Sequence, residues 1–96
     1  MYAIIWRYHL NCGGSDELGD AGQRLGAALS RVRGFIAAIT VDEIGGIPFT
    51  LALFEDHAGL TAAENIVQQW SATQPDPLRL EPVTLSTAKV VAQKGL

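Results

Sequence analysis

The spacing of hydrophobic residues changes repeatedly along the chain, and each change predicts a new element. Residues 2–9 are rich in aromatic and β-branched side chains, which is typical of a strand. Over residues 18–32 the apolar side chains recur every three or four positions, which predicts an amphipathic helix capped by Ser15. Gly22 falls inside this apolar stripe and favours close packing of the helix on a sheet over a hinge.

The same helix is expected to run on to the turn before the second strand. Arg31 and Arg33 then lie at its C-terminal end, and Gly34 suits the position just beyond it. Such a helix has about four to five turns at 3.6 residues per turn.

A hairpin is the most informative part of the pattern. Residues 35–43 and 47–54 are predicted to form two strands joined at Gly45-Gly46, the pair that a two-residue turn prefers. This turn pairs Thr40 with Leu51 and leaves both faces of the hairpin mostly apolar. An antiparallel sheet with one wet face alternates apolar and polar residues instead. Both faces are therefore expected to be covered, one by helices and the other by a partner or a ligand.

A second helix is predicted directly after the hairpin. Asp56 can cap it, and Thr61-x-x-Glu64 offers a capping box one turn later. Its apolar stripe consists of Leu60, Ala63, Ile66, Val67 and Trp70. Prolines in the segment after it end the helix, and residues 83–91 are predicted to form the last strand.

The predicted order is βαββαβ, which is the ferredoxin-like arrangement of the α+β class. We expect a single domain over residues 1–96, with a four-stranded antiparallel sheet and two helices on one face. Hydrophobic residues make up 48% of the chain and charged residues 18%, below the roughly 25% charged residues of typical domains. Excess apolar surface on a small domain predicts a homodimer through the open sheet face.

The charge pattern excludes several classes of function. The net charge is −3 and the basic residues are scattered, so no nucleic-acid surface is predicted. No apolar run reaches the roughly 18–20 residues of a membrane span, and the first residues show no leader pattern. Cys12 is the single cysteine, so a disulfide within the chain is excluded. We expect a cytoplasmic protein that binds no membrane.

Several segments carry a resemblance to a known family. They are residues 1–5 at the start, Gly34-Phe35 after the first helix, Phe54-Glu55-Asp56 before the second helix, and Gln69-Trp70 near its end. In these the chain resembles the dimeric α+β barrel superfamily, and within it the antibiotic-biosynthesis-monooxygenase-like (ABM) domains. The resemblance implies that two protomers pair their open sheet faces into a barrel with a cavity. It also implies a range of activities, because the superfamily includes cofactor-independent monooxygenases, haem degraders and isomerases.

The candidate substrate-binding residues are Trp6, Tyr8, His9, Thr40 and Trp70. Trp6 and Tyr8 share a strand face with Tyr2 and Ile4. If that face looks into the barrel, Trp6 can stack on a phenolic substrate and Tyr8 can hydrogen-bond it. The alternative is that both are core or interface aromatics.

The remaining candidates have equally plain alternatives. His9 is a candidate base, because the unperturbed pKa of a histidine side chain suits proton abstraction near neutral pH, but a strand-end histidine is commonly just solvated. Thr40, Asp42 and Glu55 fall on one hairpin face and line either a cavity or the polar rim of a dimer interface.

The haem-degrading branch resembles the chain least. The resemblance to that branch implies a tryptophan, which Trp70 can match, together with an asparagine on the first strand and a haem-ligating histidine. Asn11 lies beyond the strand, and no histidine follows Trp70. The two histidines also lack metal-ligand spacing. We therefore predict no cofactor.

Two functions are predicted from these residues and the resemblance. The first is a cofactor-independent monooxygenase acting on a small aromatic or phenolic molecule in the barrel cavity. The alternative is a non-catalytic small-molecule-binding or interaction module with the same dimeric fold, because the sequence assigns no acid–base pair.

Overall fold

A computed structural model describes residues 1–7, 15–42, 44, 46, 48–72 and 85–95 of the chain. The elements are β1 (Tyr2–Arg7), α1 (Ser15–Leu29), β2 (Phe35–Val41), β3 (Phe49–Phe54), α2 (His57–Ala72) and β4 (Leu85–Lys89). This is the predicted βαββαβ order. Among the described residues, β2 ends before Asp42, β3 begins after Pro48 and β4 ends before Val90. These strand ends lie inside the limits that the sequence pattern suggested, because the pattern does not show where pairing stops. Neither helix that the structure describes has the length and hydropathy needed to cross a membrane.

The four strands form one antiparallel sheet in the order β2-β3-β1-β4. β1 and β3 occupy the centre, so the predicted ferredoxin-like fold is confirmed. The connection from β1 to β2 passes over β3, and the connection from β3 to β4 passes over β1. Both helices therefore lie on the same face of the sheet.

The register between β2 and β3 differs from the one predicted from a two-residue turn. Strand pairing runs to Val41 on β2 and starts at Phe49 on β3, and the predicted turn at Gly45-Gly46 includes Gly45, which lies outside the described residues. Pro48, which is buried directly before β3, has no N–H group with which to extend the ladder.

The observed register differs from the predicted one by one residue. Thr40 pairs with Thr50, not with the predicted Leu51, and Leu51 pairs with Ile39. Side chains alternate between the two faces of a strand. A register shift of one residue therefore places the other set of β3 side chains on the same face as Thr40. Thr40 and Thr50 thus share the face that carries the helices, and Ile39 and Leu51 share the opposite face.

The core lies between the sheet and the two helices. Its buried members are Ile4, Trp6, Ala21, Leu25, Leu29, Ala52, Phe54, Leu60, Ala63 and Val67. Ile4 and Trp6 belong to β1, so this face of β1 is covered by the chain's own helices. The barrel-facing orientation considered for Trp6 is therefore corrected, because both crossover helices pack on the side to which its ring points.

The opposite face of the sheet is mostly apolar and is covered by neither helix. By strand alternation its apolar members are Ala3, Ile5, Ala37, Ile39, Val41, Phe49, Leu51, Leu53 and Ala88, and its polar members are Arg7 and Ser86. Ile39, on the edge strand β2, is 55% exposed. We call this surface the open face. Its composition agrees with the prediction that a partner covers it.

The first helix ends earlier than its hydrophobic pattern predicts. α1 stops at Leu29, where the Ser30 hydroxyl donates to the carbonyl of Ala27 at 2.7 Å. A turn follows in which Val32 N–H donates to the carbonyl of Leu29 at 3.0 Å. Gly34 then takes a positive φ of 91° before β2. The glycine has the left-handed conformation expected after a helix, but it closes the turn and not the helix itself.

The second helix is capped as the sequence suggests. An oxygen of the Asp56 carboxylate accepts a hydrogen bond from the N–H of Gly59 at 2.9 Å, the third helical residue. The predicted Thr61–Glu64 capping box does not form at a helix start. The Thr61 hydroxyl donates instead to the carbonyl of His57 at 3.2 Å inside the helix.

We expect Asp56→Ala to lower the free energy of unfolding by about 1 kcal/mol, because it removes the acceptor for an otherwise unpaired helix N–H. Asp56→Asn keeps an acceptor and should cost much less. Glu55→Ala removes an equal charge from the adjacent exposed residue and serves as the control. Chemical denaturation measures all three; equal losses for Asp56→Ala and Glu55→Ala would show that charge, not capping, matters.

Candidate functional site

A row of side chains crosses the sheet on its helix-facing side, near the end of β1. Thr40 of β2 pairs with Thr50 of β3, which pairs with Trp6 of β1, which pairs with Leu85 of β4. Thr50 and Trp6 are fully buried, whereas Thr40 and Leu85 are half-buried. Antiparallel pairing fixes this row, since directly opposed residues point to the same face.

The two threonines form a polar pair within the row. Their hydroxyl oxygens lie 2.8 Å apart and share a hydrogen bond. α1 crosses above them at Gly22, where a Cβ atom would lie 2.8 Å from the Cβ of Thr40. The predicted close packing at this glycine is confirmed, because the helix backbone lies nearer to β2 than a larger residue allows.

Trp70 reaches the same end of the sheet. α2 begins directly after β3 ends and packs on the same face, so its last turns return toward the start of β3. The lengths agree, since 16 helical residues span about 24 Å and six strand residues about 20 Å. The half-buried Trp70 packs against the core cluster that contains Trp6. Trp6, Thr40 and Trp70 therefore occupy one end of the helix-facing side.

The indole nitrogen of Trp6 is an exception to the usual pairing of buried polar groups. Nε1 is buried and has no hydrogen-bond acceptor in the described part of the chain. Most buried side-chain polar atoms have a partner, and a buried donor without one costs about 1–3 kcal/mol. The site thus holds two tryptophan rings, two threonine hydroxyl groups that are hydrogen-bonded to each other, and one indole N–H donor without an acceptor among the described residues.

Comparisons with known proteins establish the fold. No protein-family profile and no curated protein matches the chain. Among solved structures, MhuD, a haem degrader from Mycobacterium tuberculosis solved with two haems in its active site, superposes with a TM-score of 0.72. Its identity to this chain is 17%, over 99% of this chain and 100% of MhuD.

Two other structures agree. SnoaB, a cofactor-independent oxygenase from Streptomyces nogalater, has a TM-score of 0.62 at 15% identity, over 96% of this chain and 92% of its own. Rv0793 from Mycobacterium tuberculosis has a TM-score of 0.67 at 9% identity, over 98% of each chain. All three are ABM-domain proteins. The chain has their ferredoxin-like fold. The resemblance stated from the sequence is confirmed at the level of the ABM fold.

The predicted site residues divide into two groups. Trp6, Thr40 and Trp70 lie together at one end of the helix-facing side of the sheet. Tyr8 and His9 lie outside the described residues. A role in binding remains a prediction for all five. Of the companions predicted for Thr40, Glu55 follows β3 at the opposite end of the sheet, and Asp42 is an exposed residue directly after β2.

Sequence reasoning missed Thr50 as part of the site. The wrong register assigned it to the face opposite Thr40, although both are threonines in neighbouring strands. Paired threonines across an antiparallel ladder commonly hydrogen-bond, which is the signal that could have selected the observed register.

The other end of the helix-facing side carries different groups. His57, the exposed first residue of α2, contacts the ring of Tyr2 edge-on with a centroid distance of 5.6 Å. A shallow depression of about 150 Å³ lies beside the first turn of α2. It is lined by Val32, Arg33, Asp56, Ala58, Gly59 and Ala62. Small-molecule pockets usually have at least about 300 Å³, so we do not place a ligand site in this depression.

Proposed function

We propose that the chain is one protomer of a homodimer in which two open faces pack together. The support is the uncovered apolar surface that carries Ile39 and Leu51, together with the ABM fold, whose members are typically dimers. Such a face would otherwise remain in water at a cost of about 25 cal/mol for each Å² of apolar surface. A cytoplasmic location, expected from the sequence, stays a prediction.

We propose further that the protein binds a small aromatic or phenolic molecule on the helix-facing side of the sheet, at the end where Trp6, Thr40 and Trp70 lie. The observation that carries this proposal is the convergence of these side chains from three separate elements. The proposed binding site is therefore this end of the helix-facing side and not the barrel cavity, because Trp6 and Thr40 point toward the helices of their own chain. Two indole rings offer stacking surfaces, and the threonine pair offers a polar edge.

The reaction that fits best is cofactor-independent oxygenation, the activity named for SnoaB. A deprotonated phenol is electron-rich enough to supply the electrons itself. One oxygen atom of O₂ enters the ring to give a quinone, and the other leaves as water after the ring loses two hydrogens. The residues of this chain would hold the ring and exclude water around it. The base that removes the phenolic proton stays unassigned, with His9 as the candidate from the sequence.

A non-catalytic binding module is the second candidate. Among the described residues, the buried side chains of this site are tryptophan, threonine and aliphatic residues, none of which can act as a base. Such a set can bind a ring without transforming it. Ligand-induced thermal stabilisation without turnover is the signature of this alternative.

Haem is bound by MhuD, but the described residues do not offer it a ligand at the proposed site. The one described histidine, His57, starts α2, whereas Trp70 lies in the last turns of that helix. A haem-iron ligand is usually a histidine or another strong donor beside the macrocycle. No step of the proposed chemistry therefore passes through haem.

The experiment that tests the function incubates the protein with anthrone or 1-naphthol under oxygen and follows oxygen uptake and quinone formation. We expect uptake of one O₂ for each quinone formed. The matched control is naphthalene, which lacks the hydroxyl group and should not react. Thermal stabilisation by 1-naphthol without oxygen uptake would favour the binding module. Neither uptake nor stabilisation would contradict both candidates.

A further inference from the structure

We propose that the Trp6 indole N–H is the hydrogen-bond donor by which this site selects aromatic ligands that carry an oxygen acceptor. This inference rests on the proposed ligand site at the same place. Its starting point is the buried Nε1 atom, for which the described part of the chain supplies no acceptor. Phenylalanine would fill a core position without leaving a donor unpaired, so the N–H indicates a partner that is not one of these residues.

The surroundings of Trp6 explain why the described residues leave its donor unpaired. β1 is paired on both sides, with β3 and with β4, so the neighbouring backbone carbonyls serve the sheet ladders. The helix side chains of the same core cluster are alanine, leucine and valine, which have no acceptor. The nearest hydroxyl across the ladder belongs to Thr50, and it is bonded to the hydroxyl of Thr40 at 2.8 Å.

The chemistry of the donor defines the ligand. An indole nitrogen donates one hydrogen bond and accepts none. A phenol, phenolate or aromatic ketone presents the oxygen that this donor needs, whereas an aromatic hydrocarbon does not. A site with a buried N–H donor discriminates against ligands that lack a hydrogen-bond acceptor, because binding such a ligand leaves the donor unpaired. We therefore expect a preference for oxygen-bearing rings over hydrocarbons of the same shape.

Binding measurements test the selection directly. Equilibrium dialysis without oxygen compares 1-naphthol with naphthalene on the full chain. We expect the wild type to prefer 1-naphthol by about tenfold, the equivalent of one net hydrogen bond. Trp6→Phe keeps an aromatic ring but removes the N–H, and it should lose this preference. Ile4→Val changes a buried apolar residue on the same face of β1 and should keep it.

A second measurement observes the Trp6 N–H group directly in the wild-type protein. The chain has two tryptophans, so ¹⁵N-labelled protein gives two indole N–H signals, and the signal absent in Trp6→Phe belongs to Trp6. We expect saturating 1-naphthol to shift this signal strongly, and naphthalene to shift it much less.

The possible results separate the inference from the proposed function. If 1-naphthol binds and Trp6→Phe keeps the preference, or the Trp6 signal does not respond, the inference fails while the ligand site stands. If neither compound binds the wild type, the inference and the proposed ligand site fail together. Loss of the preference with an unchanged affinity for naphthalene supports the inference.

Discussion

Replacing Gly22 by alanine is expected to lower the free energy of unfolding by about 2 kcal/mol. The added Cβ atom would meet three atoms of Thr40: Oγ1, which is the nearest, Cβ at 2.8 Å and Cγ2 at 3.1 Å. α1 must then move away from β2, and overpacking of this kind costs up to about 3 kcal/mol. The better helix propensity of alanine returns up to about 1 kcal/mol of that loss.

The same helix provides a matched control at Gly19. A Cβ atom there would meet nothing within 4 Å, so Gly19→Ala gains propensity without a clash and should stabilise the protein by up to about 1 kcal/mol. Adding Thr40→Ala to Gly22→Ala removes two of the three clashing atoms and should recover part of the loss in a double-mutant cycle. Denaturant titration measures the free energy of unfolding of the wild type and of each variant. Equal effects of the two glycine substitutions would show that α1 does not lie this close to β2.

The elements of this fold follow from local patterns in the sequence, whereas the hairpin register does not. Amphipathic spacing and the Asp56 cap specify α2, since they depend on residues near in sequence. The register depends on how the β2–β3 connection closes. The Gly45-Gly46 pair suggested the shortest turn, while the structure resumes pairing only at Phe49, after Pro48.

The site was predictable in its residue types but not in its place. Aromatic residues on the first strand were the correct candidates to examine, yet the side to which Trp6 points depends on where the two crossover connections place the helices. No pattern within β1 carries that information, because both faces of the strand are largely apolar. Thr50 entered the site only through the observed register, which puts its hydroxyl beside that of Thr40.

The same register decides which residue best tests the proposed dimer. Ile39 lies on the open face opposite Leu51, is 55% exposed in the protomer, and takes no part in the helix-facing core. Ile39→Glu should therefore leave the protomer fold intact, because substitutions at exposed sites usually change stability by less than about 0.5 kcal/mol. In a two-fold dimer the substitution would place two carboxylates in one apolar interface.

We expect Ile39→Glu to raise the dimer dissociation constant at least about 100-fold, which corresponds to about 2.7 kcal/mol. Each carboxylate would lose water without gaining a partner, so dissociation becomes the favourable outcome. Gln23→Glu adds the same charge to an exposed position of α1 and should leave the dimer intact. Sedimentation equilibrium at micromolar concentration distinguishes the dimer from the 10.3 kDa protomer. A wild-type protein that sediments as the protomer, or an Ile39→Glu variant that dimerises like Gln23→Glu, would contradict pairing through the open face.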